Sequence, residues 1–209
     1  MSSQRIKDTA LKLFTEKGYE GTSLADIAEV VGMKKSSIYN HYKSKDDLFL
    51  SIFETCSQGE LTFYKRFFAN DAMLPTLQLL KTFIDQKTSH FSQSTSSKFL
   101  FRFMIFPPFH MKQQLEQATT LHNEQSKQII MDALHDAMIF RAMEPKRISE
   151  MISLYCVLLE GILVETLFGN QERSLARIEE AWAFYLYSVD VGNKVISIER
   201  HNAPQNMVR

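Results

Sequence analysis

The sequence predicts an all-helical protein: three short N-terminal helices, then a larger helical domain. Three observations carry that prediction. Apolar residues recur at three- and four-residue spacing along almost the whole chain. Cap-forming pairs stand where two of the early stripes begin. No strand-like alternation and no internal repeat interrupts the pattern.

The first stripe, Ile6, Ala10, Leu13 and Phe14, predicts a helix from Arg5 to Lys17, stopped by the Gly18-Tyr19-Glu20-Gly21 segment. Ser23 and Asp26 stand at capping-box spacing and open a second stripe of Leu24, Ile27, Ala28 and Val31, which ends at Gly32. A third, mostly polar helix is predicted from Lys35 to Tyr42, with Ile38 and Tyr42 on one side and Lys35, Ser36, Tyr39 and Asn40 on the other. Ser44 and Asp47 repeat the cap pairing, and Phe49, Ile52, Phe53 and Cys56 begin a helix expected to reach about Phe68. Pro75 marks a restart, followed by Leu77, Leu80 and Ile84. Ser92 to Ser97 reads as a loop, and the apolar run from Lys98 to Phe106 halts at Pro107-Pro108, which remove backbone donors. A long helix is expected from Phe109 to Phe140, another from Pro145 to Phe168 closed by Gly169-Asn170, and a last one through Ile178, Ala181, Trp182, Tyr185, Leu186 and Val189 to Gly192. The pattern divides the chain into residues 1–46, 47–195 and a flexible tail, 196–209.

Composition narrows the class. With 44% hydrophobic residues, 16 Phe and 10 Met, the chain can bury a large core. No apolar run approaches the about 18 residues a membrane span requires, and the N-terminus lacks the apolar segment of a secretory leader, so a cytoplasmic location without membrane attachment is expected. Cys56 and Cys156 fit neither a disulfide framework nor zinc spacing, and no metal or other cofactor is expected. The net charge of +0 excludes a globally basic nucleic-acid binder. Locally, however, Lys34, Lys35, Lys43 and Lys45 fall in a window without an acidic residue.

That window lies within a specific wording: Gly18-Tyr19-Glu20-Gly21-Thr22-Ser23-Leu24-Ala25-Asp26-Ile27-Ala28, then Gly32, then Ile38-Tyr39-Asn40-His41-Tyr42-Lys43-Ser44-Lys45-Asp46-Asp47-Leu48. Over roughly residues 5 to 50 it resembles the DNA-binding domain of the tetracycline-repressor (TetR) family. The resemblance implies a helix-turn-helix whose recognition helix, Lys35 to Tyr42, enters the major groove of double-stranded operator DNA. Lys35 can donate to guanine or phosphate, Ser36 and Ser37 let the backbone approach, and Asn40 carries the donor and acceptor that adenine presents in reverse. Tyr39, His41 and Lys45 occupy positions where the family contacts phosphate, and the Thr22 hydroxyl offers a further phosphate site. Thr22 can equally serve only as the lead into a cap, His41 can be a packing residue, and Tyr42 suits the core. Lys34 stands where many relatives carry a capping Ser, so loss of the cap is expected together with a gain in backbone affinity.

For the rest of the chain the resemblance implies a helical regulatory domain, a small-molecule effector that releases DNA, and homodimerisation through the last two long helices. The helix from Ile148 to Phe168 is apolar nearly all round, which independently requires cover on more than one side. Two readers related by a two-fold axis predict an inverted-repeat operator. The helix beginning at Ser44 continues out of the reader and is the expected transmission element. A centre rich in aromatic and Met side chains, with Phe83, Phe103, Met104, Phe106, Phe109, His110, Met111, Tyr155 and Trp182, suits an apolar or aromatic effector, although most of these residues suit ordinary core too. Glu160 or Glu165 can select a cationic ligand, or face solvent or the dimer interface. Two other classes are weighed: a helical enzyme, for which no metal motif, phosphate loop or nucleophile elbow is found, and an interaction bundle with a vestigial reader.

Overall fold

A computed structural model describes residues 3–70, 74–134, 143–168 and 176–189. Among the described residues there is no strand. The helices are α1 (Ser3–Lys17), α2 (Leu24–Val31), α3 (Lys35–Ile38), α4 (Lys45–Asn70), α5 (Thr76–Gln93), α6 (Thr95–Ile105), a 3-10 turn (Phe109–Met111), α7 (Lys112–Leu134) and α8 (Pro145–Phe168). Residues 176–189 are also helical. The expected ends at Gly169-Asn170 and Gly192, the stretch from residue 135 to Phe140 and the tail from residue 196 lie outside the described residues.

Two expectations about boundaries are corrected. The serine-rich stretch 92–97 is no loop: α5 and α6 are separated by Ser94 alone, whose hydroxyl accepts the N–H of Ser97 and so caps α6. Serine's low helix propensity misled here, because the same side chain that disfavours a helix interior stabilises a helix start. The recognition helix is also shorter than Lys35–Tyr42. Regular helix ends at Ile38, and a turn in which the N–H groups of His41 and Tyr42 both reach the Ile38 carbonyl completes it, at 2.9 and 3.0 Å.

The chain forms two compact units. The first comprises Met1–Arg66 and Ser89–Ser126; the second comprises Phe67–Thr88 and the described residues from Lys127 onward. In the first unit, Phe14 meets Phe49 edge-on at 5.3 Å, and Phe49 in turn meets Phe103 edge-on at 4.8 Å. Ile6, Ala10, Ile27, Ile38 and Leu48 join this core with almost no exposure. In the second unit Phe83 packs against Phe67 and Phe68, while Tyr155 approaches Tyr185 at 5.8 Å and donates its hydroxyl hydrogen to the Leu80 carbonyl at 2.8 Å. The stripe after Pro75 is centred on Leu79, Leu80, Phe83 and Ile84, all buried, with Leu77 at its edge.

Candidate nucleic-acid interface

The reader is built from its caps inward. Ser23 and Asp26 form a reciprocal box: the Asp26 N–H donates to Ser23 Oγ at 3.1 Å and the Ser23 N–H to Asp26 Oδ2 at 2.8 Å. These bonds, Ser23's side chain first, hold the Asp26 carboxyl below the usual aspartate range. α2 ends at Gly32, whose φ of 76° lies in the left-handed region that a side chain disfavours. Its N–H reaches Glu29 O at 3.0 Å and that of Met33 reaches Ala28 O at 2.9 Å, so the turn into α3 is set by backbone bonds. Gly21 is required for a different reason: a Cβ there would collide with the Lys17 carbonyl oxygen.

From this frame α3 presents one polar face. Ile38 is fully buried and Tyr42 nearly so, its hydroxyl 2.6 Å from Ser3 Oγ. Opposite these anchors Lys34, Lys35, Ser36, Tyr39, Asn40, His41 and Lys43 are exposed, with Ser37 half-buried. Among the described residues no carboxylate pairs with Lys34, Lys35 or Lys43. Lys34 makes no side-chain cap, as its replacement of a Ser implies. The positive end of α3 therefore adds to the lysine charge instead of being neutralised by a capping side chain.

Two expected phosphate-contact residues have partners within the chain in this structure. Thr22 is buried, and its hydroxyl is directed at the carbonyls of Gly18 (2.9 Å) and Leu13 (3.2 Å), because the α1–α2 turn folds it inward. Lys45 does not extend freely into solvent. Its ammonium donates to the carbonyls of Tyr19 (3.0 Å) and Thr22 (3.1 Å) and lies 3.8 Å from the centroid of the Tyr19 ring. Both side chains fasten the turn that positions α2.

The same turn is held by residues that sequence reasoning did not single out or assigned elsewhere. Arg102 of α6 donates to the Thr15 carbonyl at 2.8 Å, satisfying an acceptor in the last turn of α1. The Tyr19 hydroxyl donates to Asp46, and burial followed by that bond pushes the phenol well above its ordinary range. His110 Nε2 lies 3.2 Å from Asp46 and its ring 5.3 Å from that of Tyr19. A lone Arg in the apolar Phe99–Ile105 run was the available signal for Arg102.

The residues of the expected aromatic effector centre fall in both compact units. Phe103, with Met104 against it, belongs to the reader's core; Phe106 and Phe109 are exposed; His110 pairs with Asp46. Phe83, Tyr155 and Trp182 are buried in the second unit, where Trp182 stacks on Tyr185 at 5.3 Å. Glu160 is on the surface, although its neighbours desolvate it enough to raise its carboxyl pKa, and Glu165 pairs with Arg177. Contacts far apart in sequence separated these residues, and side-chain type alone could not reveal the division. Among the described residues no group of three or more potential ligands could hold a metal, and no helix is long and apolar enough to cross a membrane.

Three helices, a backbone-coded turn and an exposed cationic face on a buried apolar root make up a helix-turn-helix of the kind that reads DNA. Residues 6–52 match the family model for bacterial regulatory proteins of the tetR family. That match places the family's DNA-binding domain on residues 6–52. It is 42% identical over 62 residues to the biofilm operon icaADBC negative transcriptional regulator IcaR of Staphylococcus epidermidis, a match covering 30% of this chain and 34% of IcaR. IcaR of Staphylococcus aureus strain Newman is 46% identical over 52 residues, covering 25% and 28%. The chain thus spans about a third of the length of the curated relatives it matches. Beyond the reader the likeness is one of fold. SmeT, the repressor of the Stenotrophomonas maltophilia multidrug efflux pump SmeDEF, superposes with a TM-score of 0.63 at 18% identity over 90% of each chain. AibR, solved with isovaleryl coenzyme A and operator DNA, gives 0.55 at 16% identity over 77% of this chain and 84% of its own.

Proposed function

We propose that this protein is a homodimeric transcriptional repressor that binds an inverted-repeat operator and is released by a small hydrophobic or aromatic effector. The observation that carries the reading is the exposed α3 face, Lys34, Lys35, Ser36, Tyr39, Asn40 and His41, rooted by buried Ile38 and Tyr42. Lys35 and Asn40 are the base readers in this reading, Ser36 and Ser37 permit close approach, and Lys34, Tyr39 and His41 contact phosphate. Thr22 and Lys45 act indirectly, by holding the α1–α2 turn. IcaR's description as a negative regulator favours repression. A DNA-reading role fits a cytoplasmic regulator better than an enzyme.

Dimerisation is supported by α8, where Leu154, Val157, Val164 and Leu167 are exposed along one face, and by exposed Phe184 and Tyr187 on 176–189. An apolar stripe left in water on two successive helices favours burial against a second copy. For the effector, support comes from the second unit, where the buried Tyr185 hydroxyl has no hydrogen-bond partner among the described residues. Such an orphan costs about 1–3 kcal/mol, so an aromatic ligand with a hydrogen-bonding group matches the need beside Trp182. AibR, solved with isovaleryl coenzyme A and operator DNA, is a precedent for a small molecule and DNA both binding a protein of this fold.

Selection of bound duplexes from a random pool tests the reading. Enrichment of an inverted repeat, with affinity falling steeply as salt rises, is the expected result. Absence of any sequence-selective, salt-sensitive binding would overturn it and favour an interaction bundle.

A further inference from the structure

α6 lies in the same compact unit as the three reader helices, and its Phe99, Leu100 and Phe103 are buried in the reader's core. Arg102, among them in sequence, is exposed. Among the described residues its guanidinium pairs with no carboxylate. It donates instead to the Thr15 carbonyl of α1, at 2.8 Å.

That carbonyl is in the last turn of α1, where acceptors lack helical partners and the helix dipole is negative, so a cation is favoured on both counts. The fit is steric too. A Cβ at Gly18 would stand 3.1 Å from Arg102 Nη2, and the φ of Gly18 is 76°. Gly18 therefore meets two needs at once: a left-handed residue to end α1, and a bare backbone on which a planar guanidinium can lie. Further along the turn, the carbonyls of Tyr19 and Thr22 take the ammonium of Lys45. Ser23, the cap of α2, follows directly. The path from α1 into α2 is thus fixed by one cation from α4 and one from α6.

We infer that Arg102 is a positioning residue for DNA reading, which holds the α1–α2 turn, and through it α2 and α3, without itself touching DNA. The working reader then extends beyond residues 6–52 to include α6. The clamp stands on contacts within the chain; its consequence for operator affinity rests on the proposed DNA-binding function.

The test uses the full chain and the operator selected from the random pool. Arg102→Ala is expected to weaken operator binding by about tenfold. The slope of log affinity against log salt should stay as in the parent, whereas loss of a direct phosphate contact would lower it by about 1. Arg102→Lys, which keeps the charge but not the planar fork, should recover part of the loss. Gly18→Ala obstructs the guanidinium, so adding Arg102→Ala to it should weaken binding less than Arg102→Ala does alone. Amide exchange without DNA is the independent arm. At Gly18 and Thr22, whose N–H groups bond within the turn at 3.0 and 3.2 Å, exchange should quicken in Arg102→Ala while the core of α4 keeps its protection. A lowered salt slope would make Arg102 a phosphate contact and overturn the inference. Unchanged operator affinity would overturn it too, as would a loss accompanied by faster exchange throughout the unit, which would mark general unfolding. If no operator can be selected, the DNA-binding function fails and the positioning role with it, while faster exchange confined to the turn still demonstrates the clamp.

Discussion

The α3 face and the α8 face are both exposed stripes on helices anchored by buried apolar residues, yet their chemistry is opposite. On α3 the outward residues are Lys34, Lys35, Ser36, Tyr39, Asn40 and His41; on α8 they include Leu154, Val157, Val164 and Leu167. The first offers donors, acceptors and charge that lose little by staying hydrated until a polyanion arrives. The second offers apolar area that water does not satisfy, and its natural partner is another apolar face. Helical periodicity places both stripes; residue chemistry decides which partner each suits.

The largest effect should come from below the polar face. Phe14→Ala removes a fully buried ring and is expected to cost about 3–5 kcal/mol, read as a large fall in the unfolding midpoint. Next, Val157→Glu on α8 should weaken the proposed dimer by about 3 kcal/mol or more, read by sedimentation as monomer at concentrations where the parent is expected to be dimeric. Secondary structure should be unchanged, which distinguishes loss of the interface from loss of the fold. On the DNA side, Lys35→Ala should cost about 1–3 kcal/mol of base discrimination. Lys34→Ala should instead lower affinity for all sequences and reduce the salt slope by about 1. If Lys34→Ala left both unchanged, its phosphate role would be wrong.

A smaller effect is expected at the cap. Ser23→Ala should destabilise the reader by about 1 kcal/mol. Because Asp26 is more acidic folded than unfolded, its contribution is present above the ordinary aspartate range and disappears as pH falls through the lowered folded value. Acid titration of parent and Ser23→Ala melting curves should therefore converge below that range.

Local rules reached far into this fold. The Ser23–Asp26 box, the stop at Gly32 and the buried pair Ile38 and Tyr42 depend on neighbours within a few residues, and spacing alone located them. Ser44 shows the limit of such rules. Its hydroxyl accepts the Asp47 N–H at 3.0 Å as expected, but the Asp47 carboxylate bonds the Lys43 N–H at 2.7 Å instead of closing the box on Ser44. Thr22 finds its nearer partner, Gly18, only four residues away, whereas the partners of Lys45 and Arg102 lie 23 to 87 residues away, beyond any periodic pattern. Glu60 was legible in principle: it falls four residues after Cys56 on the buried stripe of α4, where a carboxylate is out of place unless paired.

The backbone-coded turn at Gly32 also bears on how such a reader changes over generations. Since α3 is aimed by main-chain bonds and by two inward anchors, the exposed positions carry little of the folding stability. Substitutions at Lys35, Ser36, Tyr39 or Asn40 should each fall within about 0.5 kcal/mol of the parent, while rewriting which operator is preferred. The letters of the recognition surface can be reset one at a time without redesigning the frame that presents them.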